Sequence, residues 1–281
     1  MPPGLAETIQ QITGRKVAGL RPLSGGCVGE VLLAALEGGG SLVAKLGPGL
    51  APEGWTLRHL RAVSRLPVPA VVHCDDDLLL MEYVESGGAL DPPAQAHAAE
   101  LLADLHSISS DSFGLERDTV IGGLRQPNPR SARWLDFFRD HRLLFMAGEA
   151  TGAGRLPAAT MARIETLAGR LDRWLAEPEQ PALIHGDCWG GNVLCRAGRV
   201  AAFIDPAIYY ADAEIELAFG TLFGTFGDPF FRRYGQLRPI RPGFFEARRD
   251  LYNLYPLLVH VRLFGGSYVA DVERMLARFL G

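Results

Sequence analysis

One segment restricts the fold of this chain more than any other. Residues 185–192 read His-Gly-Asp-Cys-Trp-Gly-Gly-Asn between short apolar runs at 182–184 and 193–195, and a further run at 200–204 ends in Asp205, thirteen residues after Asn192. A strand must deliver the polar loop and a hairpin must return a second carboxylate to it, so the surroundings have to contain a small β insert. The residue types suit phosphoryl transfer. That reaction needs a carboxylate to orient an attacking hydroxyl and take its proton, here Asp187, and oxygen ligands for Mg²⁺ on nucleotide phosphates, here Asn192 and Asp205. An Asp, an Asn five positions on and an Asp beyond a short hairpin is the spacing of kinase catalytic loops. Any one of the three alone is equally an ordinary turn or strand-end residue; as a set on these elements they point to the reaction. His185 reads as a loop-shaping residue that does no proton chemistry.

The first quarter of the chain supplies candidates for the other half of such a site. Lysine occurs only at positions 16 and 45, although arginine is abundant. Lys45 ends an apolar run in Val43-Ala44-Lys45, the pattern of the strand lysine that contacts nucleotide α/β-phosphates, where a compact ammonium is preferred to a forked guanidinium. Its expected partner is Glu53 in the following helix, a position where a plain surface glutamate is the common case. The turn Ser24-Gly25-Gly26-Cys27-Val28-Gly29 could cover phosphates with its backbone N–H groups, with Gly25, Gly26 and Cys27 at its centre; a plain hairpin turn accounts for the glycines as well. It is not a Walker A loop, because no Gly-Lys-Ser/Thr follows. Residues 81–84 end an apolar run, where the Glu82 carbonyl and the Val84 N–H are placed to pair with adenine; a strand end without a ligand looks the same in sequence.

The order of elements agrees with these assignments. Strands are expected at 17–23, 28–36, 41–46, 71–73 and 78–84, with one helix at 52–64. Helices are expected over 94–108, 131–147 and 159–175, then the β insert, then helices broken by Pro and Gly; 114–130 reads as an irregular loop. The outline is an α+β, two-lobed kinase-type chain: an N-terminal nucleotide-binding lobe at 1–84 with a small antiparallel sheet, a hinge at 85–90, and a larger, mainly helical catalytic and substrate lobe at 91–281. Hydrophobic residues make up 48% and charged residues 21%, enough for a large core, and the net charge of -4 argues against general nucleic-acid binding. Four scattered cysteines without zinc spacing, no signal-like N-terminus and no bilayer-length apolar run are expected of a cytoplasmic protein.

Taken together, these residues resemble the fructosamine kinase family within the aminoglycoside phosphotransferase-like, protein-kinase-like superfamily. The resemblance rests on the Trp-containing loop 185–192, on Ile204-Asp205-Pro206-Ala207-Ile208-Tyr209-Tyr210 with Glu214-Ile215-Glu216-Leu217-Ala218 after it, and on Phe223-Gly224-Thr225-Phe226, Tyr252 to Leu258 and Phe264 to Tyr268. It spans roughly residues 8–280, with 114–180 carrying the least of it. Departures are Ala211-Asp212-Ala213, where family members have Gly-His or Gly-Asp-Arg, and Glu216, where Asp is usual. The resemblance implies ATP- and Mg²⁺-dependent phosphorylation of a ketosamine at the sugar 3-hydroxyl, a deglycation step. The acceptor would be a small glycated amine or a glycated lysine on protein. Trp189 could stack on the sugar or equally be a core residue. Asp212 and Glu214 are expected on the substrate side, and Cys27 matches a phosphate-loop cysteine of some members, which could be redox sensitive. An aminoglycoside or choline-type phosphotransferase, for which Asp212, Glu214 and Glu216 would form an acidic floor, and a non-catalytic pseudokinase module remain the alternatives. Oligomeric state is not legible in the sequence.

Overall fold

Alternation along β-strands decides how the N-terminal part is built. The computed structural model describes residues 4–23 and 30–281. After helix α1 (Leu5–Thr13) come β1 (Val17–Pro22), β2 (Glu30–Leu36), β3 (Ser41–Leu46), helix α2 (Ala51–Val63), β4 (Val71–Cys74) and β5 (Leu78–Glu82). The strands form one antiparallel sheet in the order β1-β2-β3-β5-β4. Side chains of a strand point alternately to its two faces. Leu32, Ala34, Leu36, Ala44, Leu78 and Leu80 face one side, where Leu5 and Ile9 of α1 close a small core over them. Leu33, Val43, Leu79 and Met81 face the other, where Leu57 and Leu60 of α2 join them to the main core. Both faces are covered, so these strands read as continuous apolar runs. Lys45 shares the face of Val43 and therefore points toward α2.

Helix α2 lies unusually close to the sheet at one residue. A Cβ on Gly54 would stand 2.3 Å from Cys74 Sγ, so only glycine lets the helix seat there. The neighbouring Glu53 is thereby brought within reach of Lys45.

The rest is mainly helical. Helix α3 (Pro92–Leu105) is capped by the Asp91 carboxylate, which accepts the Ala94 N–H at 3.0 Å. Then follow the short hairpin β6 (Thr119–Ile121) and β7 (Leu124–Gln126), α4 (Trp134–Phe138), a π-helical stretch (Arg139–Leu144), α5 (Phe145–Gly152) and α6 (Ala158–Ala168). Strand β8 (Ala182–Ile184) opens the β insert, and β9 (Val193–Arg196) pairs antiparallel with β10 (Arg199–Phe203). Strand β11 (Tyr209–Ala211) returns to pair with β8. Helices α7 (Glu214–Leu222), α8 (Asp228–Leu237), α9 (Arg249–Phe264) and α10 (Tyr268–Leu280) complete the chain. The main core runs continuously from α2 through α3, the β insert and α9.

The result is the expected α+β arrangement, and it differs from the sequence reading in several elements. Helix α1 precedes the first strand, residues 119–126 form a hairpin where a loop was expected, and the single helix expected over 131–147 is interrupted by a wider turn. The linker after β5 is not free: the N–H groups of Gly87 and Gly88 both donate to the Cys195 carbonyl of β9, at 3.1 and 2.9 Å. Among the described residues no helix is long and apolar enough to cross a membrane.

Candidate active site

The loop between β8 and β9 is held by its backbone before any of its side chains act. Gly186 has φ of 85°, and a Cβ there would fall 2.1 Å from the Ala207 carbonyl oxygen. The left-handed backbone and the crowding each require glycine. Ala207 N–H donates to the His185 carbonyl at 2.8 Å, continuing the β8–β11 ladder. From below, Glu216 of α7 accepts the N–H groups of His185 at 3.0 Å and Gly186 at 2.7 Å and binds His106 Nε2 at 2.9 Å. His106 Nδ1 meets the Tyr234 hydroxyl at 2.7 Å. Burial pulls the Glu216 pKa up, but the His106 hydrogen bond and the remaining contacts outweigh it and hold the carboxyl below its ordinary range. His185 is fully buried against Phe203, and burial lowers its pKa, so the ring is neutral at physiological pH.

Three of the predicted residues meet across the loop and its hairpin. Asn192 Nδ2 donates to the carbonyl and to Oδ2 of Asp187, both at 2.9 Å. Asn192 is itself fixed through its carbonyl, which accepts the Ile204 N–H at 3.0 Å. Asp205 stands just beyond β10 with φ of 54°, a left-handed conformation that is costly for a side chain and concentrates at functional sites. Lys45 Nζ donates to Glu53 Oε1 at 2.7 Å and reaches Asp205 Oδ1 at 2.5 Å. One ammonium thus ties the sheet, α2 and the β insert together. Burial lowers the Lys45 pKa, yet the Glu53 and Asp205 carboxylates more than compensate, so it stays charged. Asp187 is affected in the opposite sense: burial and then the charge of Asp205 push its pKa up to about 8.

The oxygen donors suit a hard divalent cation. Asn192 commits its amide nitrogen to Asp187, and among the described residues its Oδ1 and Asp205 Oδ2 have no hydrogen-bond partner. Carboxylate and carbonyl oxygens are what Mg²⁺ takes. A second cluster, His185, Cys188 and Glu216, has the spacing of metal ligands, but the Glu216 carboxylate there is already occupied by three N–H groups.

The other predicted residues fall in several places. Trp189 is 38% exposed, and its ring lies across Gly191, 2.3 Å from where a Cβ would stand, so its outer face is open beside the loop. Glu82 uses its own N–H and its carboxylate on Ala70, at 2.8 and 3.2 Å, and among the described residues the Val84 N–H has no partner. Gly25, Gly26 and Cys27 lie outside the described residues. Asp212 and Glu214, expected on the substrate side, are instead buried in an ion cluster. Asp212 accepts from Tyr252 Oη at 2.8 Å and pairs with Arg241. Glu214 accepts from Arg248 Nε at 2.5 Å and from Arg241 Nε at 3.2 Å. Buried acids with guanidinium partners fasten residues 241–248 to α7 and leave nothing for a floor under an acceptor.

Two residues shape the site in a way the sequence did not show: Glu216 reads there as part of an acidic floor, and Arg142 does not stand out at all. Glu216 anchors the loop, and Arg142 is fully buried beneath Tyr209, its guanidinium carbon 3.8 Å from the ring centroid. Arg142 donates to the Pro127 carbonyl at 2.7 Å and to Asn128 Oδ1 at 2.5 Å, with no carboxylate partner among the described residues. Nothing local distinguishes this arginine from the many others.

Residues 5–281 match the family model described as fructosamine kinase. The chain belongs to the fructosamine kinase family. A Synechocystis sp. protein named "Probable ketoamine kinase" is 33% identical over 98% of this chain and 96% of its own length. The chloroplastic protein-ribulosamine 3-kinase of Oryza sativa subsp. indica is 30% identical over 94% of this chain and 80% of its own. A crystal structure from Thermobifida fusca named for fructosamine-3-kinase superposes with a TM-score of 0.86 at 32% identity, covering 98% of both chains. An aminoglycoside phosphotransferase in complex with ADP and hygromycin B shares the fold alone, at a TM-score of 0.72 and 16% identity. The protein is therefore a phosphotransferase with a protein-kinase-like α+β fold.

Proposed function

We propose that this kinase transfers the γ-phosphoryl group of ATP to a sugar hydroxyl of a ketosamine, a small glycated amine or a glycated lysine. The observation that carries the reading is the junction at Lys45, whose ammonium joins Glu53 and Asp205 at 2.7 and 2.5 Å while Asp205 stands near the Asp187–Asn192 pair. The relatives named for ketoamine and ribulosamine kinases support the acceptor class.

Each residue then has a role given by its position. Lys45, braced by Glu53, aligns the α/β-phosphates. Asp187 orients the acceptor hydroxyl and takes its proton, a task for which a carboxylate of raised proton affinity is suited. Asn192 holds Asp187 in place through its amide and offers its oxygen, with Asp205, to Mg²⁺. Held there, the ion would supply positive charge against that of the phosphates. The Glu82 carbonyl at the end of β5 and the Val84 N–H just beyond it, without a partner among the described residues, are the groups that would receive adenine. Trp189 offers an aromatic face to the sugar. Residues 1–84 and 91–281 act as two lobes on either side of this cleft, with 85–90 as the hinge. The thiols of Cys74, Cys188 and Cys195 are free, in keeping with a reducing cytoplasm.

The test is ADP release with Mg·ATP and fructoselysine, ribuloselysine, an aminoglycoside or choline, with Asp187→Asn alongside. Turnover is expected with the two ketosamines only, and the substitution should reduce it by about 10²- to 10⁴-fold. Turnover with the aminoglycoside or choline but not with the ketosamines would overturn the reading.

A further inference from the structure

We infer that Arg117 is a positioning residue for the nucleotide site: it clamps helix α2 from the outside and so sets the Lys45–Glu53 pair. The inference rests on the proposed role of that pair in binding ATP.

Helix α2 is held between two supports. On the sheet side the close approach at Gly54 fixes how near it comes, since a Cβ there would stand 2.3 Å from Cys74 Sγ. On the other side, Trp55 presents its ring to the segment between α3 and β6. The Arg117 guanidinium carbon stands 4.3 Å from that ring's centroid, well inside the range of a cation–π contact. The ring is also stacked on His59, one helical turn on, at 4.8 Å. Trp55 is two residues from Glu53, so a shift of the ring is a shift of the carboxylate that holds Lys45.

The Arg117 backbone is tied to the catalytic half. Its carbonyl accepts Asn128 Nδ2 at 3.1 Å. Asn128 is buried, also donates to Thr119 Oγ1 at 2.9 Å, and receives Arg142 at 2.5 Å. Arg142 underlies Tyr209, on the strand that follows Asp205 and pairs with β8. A chain of direct contacts thus runs from the strand beside the catalytic loop to the helix bearing Glu53. Arg117 is exposed, borders an open cavity of about 560 Å³, and has no carboxylate partner among the described residues. Among the described residues its side chain makes the ring contact and no hydrogen bond, and being exposed it can be removed without opening the core.

The experiment is a double-mutant cycle on the full-length protein, read as kcat and as KM for ATP, with thermal unfolding alongside. Arg117→Ala should lower kcat/KM for ATP about 3- to 10-fold while Tm moves by no more than about 2 °C, the scale of an exposed cation–π contact. Arg117→Lys, which keeps a cation over the ring, should recover most of the loss. In an Glu53→Gln background, Arg117→Ala should have no further effect, because the group it positions has gone. If Arg117→Ala behaves as wild type while Glu53→Gln is impaired, the clamp is refuted and the nucleotide site stands. If Arg117→Ala costs as much in the Glu53→Gln background as alone, its role is general support and the inference fails. If Glu53→Gln itself is silent, the reading of the Lys45–Glu53 pair fails and the inference falls with it.

Discussion

Replacing Glu216 by Gln tests whether the catalytic loop is held from beneath, as the structure describes. The side chain is fully buried and its two oxygens serve three donors. Oε1 accepts the Gly186 N–H at 2.7 Å, and Oε2 takes the His185 N–H at 3.0 Å and His106 Nε2 at 2.9 Å. A glutamine has one acceptor oxygen, so in either orientation its amide nitrogen faces a backbone N–H. At least one buried donor loses its partner, at about 1–3 kcal/mol, and the remaining bonds lose their charge assistance, about 1 kcal/mol each. Relief of the buried charge returns part of this. The net expectation is a loss of about 2–4 kcal/mol, or about 3–8 °C in Tm for a chain of this size. Turnover should fall as well, because the same donors shape the backbone that carries Asp187. The pH dependence has a definite sign. The Glu216 pKa lies below its ordinary value of 4.5 in the folded protein, so its contribution is complete above that pH and is lost as pH falls through the folded value. Thermal unfolding of both proteins, followed from neutral pH into acid, should show their Tm gap narrowing below pH 4.5. A gap under about 2 °C at neutral pH, or one that widens in acid, would refute the reasoning.

Three further outcomes are expected. Lys45→Arg should cut kcat/KM for ATP by at least about 100-fold, because the buried space between Glu53 and Asp205 fits a compact ammonium and a forked guanidinium displaces both carboxylates; near-normal kinetics would contradict this. Gly186→Ala should reduce Tm by several degrees and abolish turnover together, since the added methyl meets the Ala207 carbonyl 2.1 Å away; a stable, active variant would show the backbone can rearrange. Trp189→Ala should raise KM for the ketosamine while leaving KM for ATP and Tm nearly unchanged, because the ring is 38% exposed and lies across Gly191; a large fall in Tm would make it a core residue instead.

What the sequence disclosed and what it withheld follow from the range of the forces involved. Asp187, Asn192 and Asp205 lie within nineteen residues of one another on a loop and hairpin, so their spacing alone states their geometry. Lys45 was legible because lysine is scarce in this chain and it ends the apolar run Val43-Ala44-Lys45, although with both faces of the sheet covered the sequence could not say which face it takes. Helix α1 was passed over although Leu5, Ile9 and Ile12 have helical spacing; nine residues ended by glycines at both sides give a weak signal, and packing on β2 supplies what propensity does not. The β6–β7 hairpin has three-residue strands held by Gln126 on the Ala207 carbonyl at 3.0 Å and by Asn128 on Arg117, contacts no local pattern reveals. Asp212, Glu214 and Glu216 looked like an acidic surface because a sequence shows charges without their partners. Arg241 and Arg248 stand 29 and 34 residues away from the acids they neutralise.

The two N–H groups that Gly87 and Gly88 give to the Cys195 carbonyl fasten the segment after β5 to β9. Cys195 lies on β9, three residues after Asn192, which immediately precedes that strand. The chain that leaves the N-terminal sheet is therefore tied, through one carbonyl, to the strand that follows the catalytic loop. Cutting or lengthening residues 87–88, in a split or circularly permuted form, would release that tie and with it loosen the strand beside the Asp187–Asn192 corner.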